Sequence, residues 1–292
     1  MTVPVGSQVI NSILRTKQFP TEVFTHMKVT SYLLPALLSI SATAPLHAAQ
    51  SDDNKPSGFF VLGAGTLPDY EGSNDYGYIP FISGSVSYKG YDLSLAGPTF
   101  NLNVSNNDAI KYGPSLSYSF GRDDDVDSAA VSRMTEIDGT LEVGAFVSFP
   151  FKEIMMPHDS FSVDFDVLTD AGDAHKGTLF NAGTSYKYFL NKALQLGASL
   201  STTYADSNYT QTYFGVDAID ASLSGLPEYN ASAGFKNINL GFNSLIRLSE
   251  THGISGIIRY KRLIGDAADS PLVAQEGSEN QVFFGVGYFQ TF

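Results

Sequence analysis

The chain has 292 residues, of which 43% are hydrophobic and 16% charged, and it contains 16 Tyr, 21 Phe and no Cys. This composition excludes an intrinsically disordered chain, which would have fewer aromatic residues, and a disulfide scaffold, which needs cysteine. The formal net charge of −13 has the wrong sign for binding nucleic acid phosphates. After residue 50, no run reaches the roughly 18 apolar residues that a membrane-spanning helix needs.

Residues 27–49 have the pattern of a secretory signal peptide. The segment starts with Met27 and Lys28, continues with a short apolar stretch and ends in small residues. Ala48 or Ala49 is the expected last residue before cleavage. The protein is therefore expected to be exported.

Three further parts complete the predicted domain organisation. Residues 1–26 precede the signal peptide and are either an over-long start or an extended n-region of that peptide. Residues 50–57 are expected to form a short periplasmic segment. Residues 58–292 are expected to form the folded body.

From Gly58 onward, hydrophobic and polar residues alternate along the chain. In 159–168, one face carries Phe161, Val163, Phe165 and Val167, and the other carries Ser160, Ser162, Asp164 and Asp166. Segments 110–120, 137–149 and 194–204 alternate in the same way. Because successive side chains of a strand project to opposite sides of a sheet, the pattern predicts β-strands with one apolar and one polar face.

Two kinds of all-β protein show this alternation, a soluble sandwich of two sheets and a membrane barrel. The predicted strands reach about ten residues or more, enough to cross a bilayer at a tilt, whereas sandwich strands average about five or six. The polar faces are rich in Gly and Ser with isolated charges, which suits a confined lumen: Glu142, Asp164, Asp166, Lys187, Arg247, Arg259 and Lys261. Tyrosines lie near strand ends, where an aromatic girdle meets lipid headgroups: Tyr88, Tyr112, Tyr118, Tyr186, Tyr188, Tyr204, Tyr260 and Tyr288. We therefore expect an all-β, transmembrane, antiparallel up-and-down β-barrel.

The last segment, 281–292, ends the chain on an aromatic residue. One of its faces carries a largely apolar row: Val282, Phe284, Val286, Tyr288 and Phe292. This row resembles the C-terminal assembly signal of bacterial outer-membrane barrels, and we predict that role for Phe284, Val286, Tyr288 and Phe292. Gln290 interrupts the row, and a terminal strand of any β-protein is the alternative interpretation.

The lengths of the connections set the number of strands. Long or medium connections fall at 68–77, 121–135, 171–176, 206–229 and 265–280, and short ones fall at 89–90, 105–108, 151–158, 191–192 and 250–253. Outer-membrane barrels keep long loops outside and short turns in the periplasm, and bacterial ones have an even strand number. A single strand over 91–104 would give eleven strands in total, which is an odd number. We therefore divide this segment at Gly97-Pro98, since proline has no backbone N–H to donate to a central strand ladder. Twelve strands are predicted, with ten as the alternative.

Five loop segments together resemble the MipA/OmpV family of outer-membrane proteins. They are 67–73 (LPDYEGS), 121–125 (GRDDD), 213–217 (YFGVD), 224–234 (SGLPEYNASAG) and 262–272 (RLIGDAADSPL). The resemblance covers about 58–292 and implies an outer-membrane barrel in a Gram-negative bacterium. It also implies a scaffold role, because the namesake member links a lytic murein transglycosylase to a bifunctional penicillin-binding protein. Other members are associated with adhesion, permeability or stress responses, and no catalytic residues come with the family.

Candidate catalytic and metal-binding residues are few. After the signal peptide, the histidines are His158, His175 and His252, and their spacing requires no convergence with a nucleophile, so we expect solvated loop histidines. No G-x-S-x-G motif is present. The acidic run Asp123, Asp125 and Asp127 begins like a calcium loop but lacks the later ligands, so we expect a solvated acidic loop. No enzyme activity, cofactor or metal site is expected.

Three functions follow as hypotheses. The first is a non-enzymatic scaffold or interaction protein for murein-synthesis and murein-hydrolase enzymes. The second is a small-solute channel, and the third is an outer-membrane hydrolase. The inward cations at 187, 247, 259 and 261 are expected to neutralise the inward carboxylates across a narrow lumen, with a selective pore as the alternative. Outer-membrane lipid and lipopolysaccharide are expected partners, and nucleic acid is not.

Overall fold

The alternating segments form twelve antiparallel strands in the computed structural model, which describes residues 55–292. The strands are β1 Ser57–Pro68, β2 Tyr76–Tyr88, β3 Tyr91–Ala96, β4 Thr99–Asn103, β5 Lys111–Ser119, β6 Thr140–Lys152, β7 Asp159–Asp170, β8 Thr178–Phe189, β9 Leu194–Ala205, β10 Gly234–Arg247, β11 His252–Leu263 and β12 Asn280–Thr291. Each strand pairs with its neighbours in sequence, and β12 pairs with β1 to close the barrel. The predicted up-and-down barrel is confirmed. The signal peptide, 27–49, and the extension, 1–26, lie outside the described residues.

The division at Gly97-Pro98 is also confirmed, because a tight turn joins β3 to β4 there. Gly97 has φ +64°, a left-handed backbone that glycine adopts without steric cost. The two strands are short, and β4 pairs with β5 over three residues only. Both chain ends of the barrel therefore lie on the same side, which the rule of long outer loops assigns to the periplasm.

Large apolar side chains cover the outer face of the barrel. Examples from around the wall are Leu62, Ile82, Leu116, Leu141, Phe165, Phe180, Leu200, Leu240, Ile258 and Phe284. Tyrosines lie exposed towards both ends of the strands, including Tyr88, Tyr112 and Tyr288 at one end and Tyr118 and Tyr204 at the other. An apolar band flanked by aromatic girdles is the surface that a barrel presents to a bilayer.

The lumen has two different walls, which the sequence did not predict. Strands β3 to β10 present mainly Gly, Ser, Asn, Asp and Lys, as expected, but the wall on β1, β2 and β12 is apolar and continues to Leu245 of β10 and Ile257 of β11. Its buried cluster contains Phe59, Val61, Ile79, Phe81, Leu245, Ile257, Phe283 and Phe289. Gly63 and Gly285 make room for it, since a Cβ on either would lie within 3 Å of the Phe81 ring. Strands β1, β2 and β12 carry apolar side chains on both faces, so alternation alone identified only the outer face.

Three long outer loops contain helices, and together with the loop after β1 they form a buried core. A 3-10 turn spans Val131–Arg133, and four helices follow: α1 Ser207–Phe214, α2 Ala218–Ser224, α3 Asp266–Asp269 and α4 Pro271–Ala274. Phe214, Val216, Leu263, Leu272 and Val273 are almost completely buried among them. The long polar loops expected from the sequence are therefore a packed cap over the outer end of the barrel. Within residues 55–292, no helix has the length and hydropathy needed to cross a membrane.

Candidate functional site

A buried ionic cluster fastens the cap to the barrel. Glu71, in the loop after β1, forms ion pairs with Lys236 of β10 at 2.8 Å and Lys261 of β11 at 3.0 Å. The Tyr209 hydroxyl donates to the Glu71 carboxylate at 3.1 Å and accepts from Lys236 Nζ at 2.9 Å. The Glu71 carboxylate thus joins the loop after β1 to helix α1 and to strands β10 and β11.

The electrostatics of the cluster favour the ionised carboxylate. Burial by itself raises the pKa of Glu71, but the charges of Lys236 and Lys261 outweigh it and hold that pKa well below its usual range. Burial and the negative charge of Glu71 together raise the pKa of the Tyr209 hydroxyl well above its usual value. Glu71 is therefore an anion and Tyr209 a neutral donor at any physiological pH.

A β-bulge explains how Lys236 reaches this cluster. Alternation along β10 would point Lys236 and Asn237 to opposite faces, yet both are buried. The register against β9 shifts between Phe235 and Asn237, so one extra residue is accommodated there. The bulge turns Lys236 inward while Phe235 remains exposed to lipid. A lysine next to an exposed aromatic residue was the only sign of this in the sequence.

His175 lies inside the barrel mouth, which corrects the expectation of a solvated loop histidine. Its side chain is fully buried, against the rings of Tyr209 and Tyr213 at centroid distances of 5.0 and 5.7 Å. Its Nδ1 accepts from the Gly177 backbone N–H at 3.1 Å, so a neutral ring carries its proton on Nε2. That nitrogen lies 3.2 Å from Glu142 Oε1, to which it donates.

The three histidines form no catalytic constellation within the described part of the chain. The ring nitrogens of His175 contact a carboxylate and an amide but no hydroxyl. His252 contacts Ser249 Oγ at 2.7 Å, but that oxygen also accepts two backbone N–H groups of the same turn and lies exposed. His158 is exposed in the turn between β6 and β7. A nucleophile, a base and an orienting group do not meet at any of the three.

The acidic run in the loop after β5 is organised by backbone hydrogen bonds. Asp123 Oδ1 accepts from the Asp125 N–H at 3.1 Å, and Asp69 Oδ2 accepts from the Asp127 N–H at 3.3 Å. Burial, followed by the repulsion of Asp127 and Asp75, raises the pKa of Asp69. Among residues 55–292, no group of three or more His, Cys, Asp or Glu side chains is arranged to hold a metal ion.

The expected neutralisation of inward charges across the lumen does not occur. No ion pair joins the inward cations Lys187, Arg247, Arg259 and Lys261 to the carboxylates Glu142, Asp164 and Asp166 in the described chain. Lys261 pairs with Glu71 instead, and Arg247 lies over the Phe289 ring at 5.9 Å. Asp164 accepts from two serine hydroxyls, and Asp166 accepts from the Asn181 amide. Neutral donors on adjacent strands are closer than charges across the barrel, and they take these bonds.

At the opposite end, one carboxylate shapes the periplasmic turn between β6 and β7. Asp159 accepts from the backbone N–H groups of Ile154, Met155 and Met156 at 2.7, 2.9 and 2.9 Å. It also accepts from the Tyr186 hydroxyl at 2.9 Å. The three apolar side chains of this turn are 49, 73 and 49% exposed in chain order. Sequence analysis identified the turn only as a short connection and missed its apolar tip.

The predicted assembly residues lie on the outward face of the closing strand. Phe284, Val286 and Tyr288 of β12 and the terminal Phe292 are each about half exposed. The Tyr288 hydroxyl donates to the side chain of Gln290 at 2.7 Å, so the one polar residue of the row is paired on the same face. Backbone hydrogen bonds of 3.0 Å in both directions join Phe292 to Gly58 at the seam.

All five loop segments that carried the family resemblance belong to the cap. Glu71 of the first forms the ionic cluster, and Arg122 of the second is buried beside the backbone of Ile137. The remaining three contribute core residues, including Phe214, Val216, Leu226 and Leu272. The resemblance therefore concerns a three-dimensional structure at the outer end of the barrel.

A protein-family comparison agrees with this assignment. The family model described as MltA-interacting protein MipA matches residues 60–292. The chain belongs to this family. Membership, together with the closed barrel and its lipid-facing band, places the protein in the outer membrane of a Gram-negative bacterium.

Other comparisons give only remote likenesses. A Pseudomonas aeruginosa FadL homologue is 8% identical with a TM-score of 0.33, over 80% of this chain and 89% of the other. The Ralstonia pickettii toluene transporter TbuX is 11% identical with a TM-score of 0.36, over 82 and 90%. A bacterial polysaccharide outer membrane secretin is 11% identical with a TM-score of 0.38, over 80 and 97%. No curated protein sequence matches the chain significantly.

Proposed function

We propose that the protein is a non-enzymatic scaffold that binds murein-synthesising and murein-cleaving enzymes on the periplasmic side of the outer membrane. The family description, MltA-interacting protein, supports a protein partner. The observation that carries the proposal is the rigid apolar tip of the turn between β6 and β7, formed by Ile154, Met155 and Met156.

The position of charged residues supports an aqueous location for this tip. Phe151 and Phe161 are paired across β6 and β7 as the last lipid-facing aromatic residues of these strands. Lys152 and Glu153 follow immediately, and both are exposed. Inserting the tip into hydrocarbon would draw these two charges after it, at a cost of several kcal/mol. The tip therefore belongs in the periplasm, where an exposed apolar patch indicates a protein-binding surface.

The construction of the turn suits binding. The hydrogen bonds from Asp159 hold the backbone in one conformation, so little conformational entropy is lost when a partner binds. Methionine side chains are flexible and polarizable, and they adapt to different apolar grooves. A single tip with two methionines can thus serve two unrelated enzymes, whereas a polar glycan strand offers no groove for it.

A small-solute channel is the second candidate, and the polar wall on β3 to β10 favours it. Conduction would require an opening through the cap, whose buried core closes the outer end. Single-channel recording in planar bilayers distinguishes the two functions. We expect no steady current from the scaffold, and a steady open current would support the channel.

A binding assay with a matched control tests the scaffold. The probes are a purified lytic transglycosylase and a bifunctional penicillin-binding protein, titrated against the barrel in lipid nanodiscs. We expect Met155→Asp to raise Kd at least about tenfold, the size of a binding hot spot. Ile219→Asp changes an apolar residue of the outer cap that is 63% exposed, against 73% for Met155, and should leave Kd unchanged. Absence of binding by the wild type contradicts the scaffold, and equal affinities of all three proteins contradict the assignment to this turn.

A further inference from the structure

Two cations that face the lumen, Lys187 and Arg259, have no ion-pair or hydrogen-bond partner among the described residues. Lys187 of β8 is 5% exposed, and Arg259 of β11 projects from the inward face of its strand. The other inward cations differ from them, since Lys111 and Lys261 have carboxylate partners and Arg247 lies over an aromatic ring.

The strand register brings these two cations to the ends of one polar surface. One row across the wall runs Ser185, Ser199, Gly241 and Arg259, and the next row towards the periplasm runs Lys187, Gly197, Asn243 and Ile257. The two cations are therefore three strand spacings apart, each about 4.8 Å. The residues between them are small, or carry a hydroxyl or an amide. We call these five, Ser185, Gly197, Ser199, Gly241 and Asn243, the lumenal polar strip.

The glycine at 241 lets Arg259 lie along this strip. A Cβ at Gly241 would be 2.4 Å from Ser199 Oγ and 4.0 Å from Arg259 Nε. The Ser199 hydroxyl and Arg259 Nε thus both lie within 4.0 Å of the position that a Cβ at Gly241 would take. Arginine donors, a hydroxyl and a lysine ammonium on one concave wall are the groups that bind oxyanions in proteins.

We propose that the lumenal polar strip, with Lys187 and Arg259, binds a small oxyanion, a carboxylate or a phosphate. A bound anion would neutralise both charges, which no carboxylate of the described chain pairs with. Asp164, the carboxylate that acts electrostatically on Lys187, already accepts from Ser148 and Ser162. No hydrogen bond or ion pair joins Asp164 to Lys187, so the donors of the Lys187 ammonium are available to the ligand.

The anion enters from the periplasm. Lys187 is the third residue from the periplasmic end of β8, whereas the cap covers the outer end. The ligand is therefore a solute or a terminal group present in the periplasm. This site is separate from the β6–β7 turn, so the inference stands independently of the scaffold.

Calorimetric titration of the detergent-solubilised full barrel tests the site, with inorganic phosphate in one arm and succinate in the other. We expect one of these to bind, and Lys187→Met and Arg259→Met each to weaken that binding at least tenfold. Arg259→Lys should retain part of the affinity, because it keeps the charge. Arg247→Met removes a lumenal cation outside the strip and should bind as the wild type does. Binding in one arm alone identifies the ligand as a phosphate or a carboxylate.

A second measurement separates loss of the site from loss of the fold. Without added anion, Lys187→Met should raise the urea midpoint of unfolding, because it replaces an unpaired charge on a buried residue by an apolar chain of similar length. Anion at a concentration that saturates the wild type should raise the wild-type midpoint and raise the midpoints of Lys187→Met and Arg259→Met clearly less. Wild type that binds neither probe, or variants that bind as tightly as the wild type, would overturn the proposal.

Discussion

The two ends of the barrel are closed by different kinds of contact. At the outer end, Glu71 binds Lys261, 190 residues along the chain, and the Tyr70 hydroxyl donates to the carbonyl of Glu276, 206 residues away. At the periplasmic end, the side-chain contacts that shape each turn are local, apart from the bond that Asp159 accepts from Tyr186 of β8. Asp159 accepts from residues three to five positions earlier, and Asn191 Oδ1 accepts from the N–H groups two and three positions later.

The outer end is therefore a tertiary structure of several loops, whereas the periplasmic end is a set of separate turns. Glu71 joins the loop after β1 to helix α1 and to strands β10 and β11, so its loss should affect the whole cap. Each periplasmic turn is held by its own side chains, so its loss should remain local. The cap is therefore expected to unfold as one cooperative unit, and the turns singly.

Glu71→Ala should have the largest effect, because it leaves Lys236 and Lys261 buried without their partner. Breaking a buried ion pair by removing one side costs about 3–5 kcal/mol. Urea titration in lipid vesicles measures this free energy of unfolding. The double variant Glu71→Ala with Lys236→Met should recover part of the loss. Exposed ion pairs contribute less than about 1 kcal/mol, so a loss of unfolding free energy that small for Glu71→Ala would contradict the buried cluster.

The same carboxylate gives the outer end a dependence on pH. The folded-state pKa of Glu71 lies below its ordinary value of 4.5, so its stabilising effect is complete above that value and is lost as the pH falls below it. The difference in unfolding free energy between wild type and Glu71→Gln should therefore be constant from about pH 7 to 5 and shrink below. A difference that instead grows on acidification would contradict the lowered pKa of Glu71.

The next largest loss of stability is expected in strand β7, between the two ends of the barrel. Val163→Arg places a charge on the lipid-facing side of β7 and should cost roughly 2–4 kcal/mol near the bilayer midplane. Ser162→Arg, on the lumenal side, can pair with Asp164 and should cost much less. Urea titration in vesicles compares the two variants, and equal losses would contradict their facing. In addition, wild type should refold only with detergent or lipid present, since a soluble sandwich would refold in plain buffer.

Asp159→Ala should have a smaller and strictly local effect. It removes the acceptor of three backbone N–H groups and of the Tyr186 hydroxyl, at a cost of about 1–3 kcal/mol. Amide hydrogen exchange should accelerate at residues 154–156 and stay unchanged in the cap. Asp159→Asn, which keeps one acceptor oxygen, is the control. Faster exchange in the outer loops would mean that the two ends are coupled.

The smallest effect on stability is expected at the last residue. We propose that Phe292 acts in assembly, because it ends the outward row of β12 at the seam with β1. Deleting it should lower the yield of folded, heat-modifiable protein in membranes. The unfolding free energy of the fraction that folds should change by no more than about 0.5 kcal/mol. Unchanged yield would remove the assembly role.

Several features of this protein could be predicted from its residues alone. The alternation of Phe161, Val163 and Phe165 with Ser162 and Asp164 is a local property, so it determined which side of β7 meets lipid. The twelve strands followed from the lengths of the connections and from the inability of Pro98 to donate a hydrogen bond. The five loop segments indicated the family before their contacts were known.

The tertiary structure alone decided the rest. Lys236 faces inward because a bulge breaks the alternation of β10, and Phe81 faces the lumen although its strand is apolar on both sides. Glu71 lies 165 and 190 residues from the lysines that bind it, and no local pattern records such distances. Period-two patterning reports what one strand presents to its two sides. Which distant loops pack together depends on the closed barrel, since only closure brings the ends of β1, β10 and β11 to the same mouth.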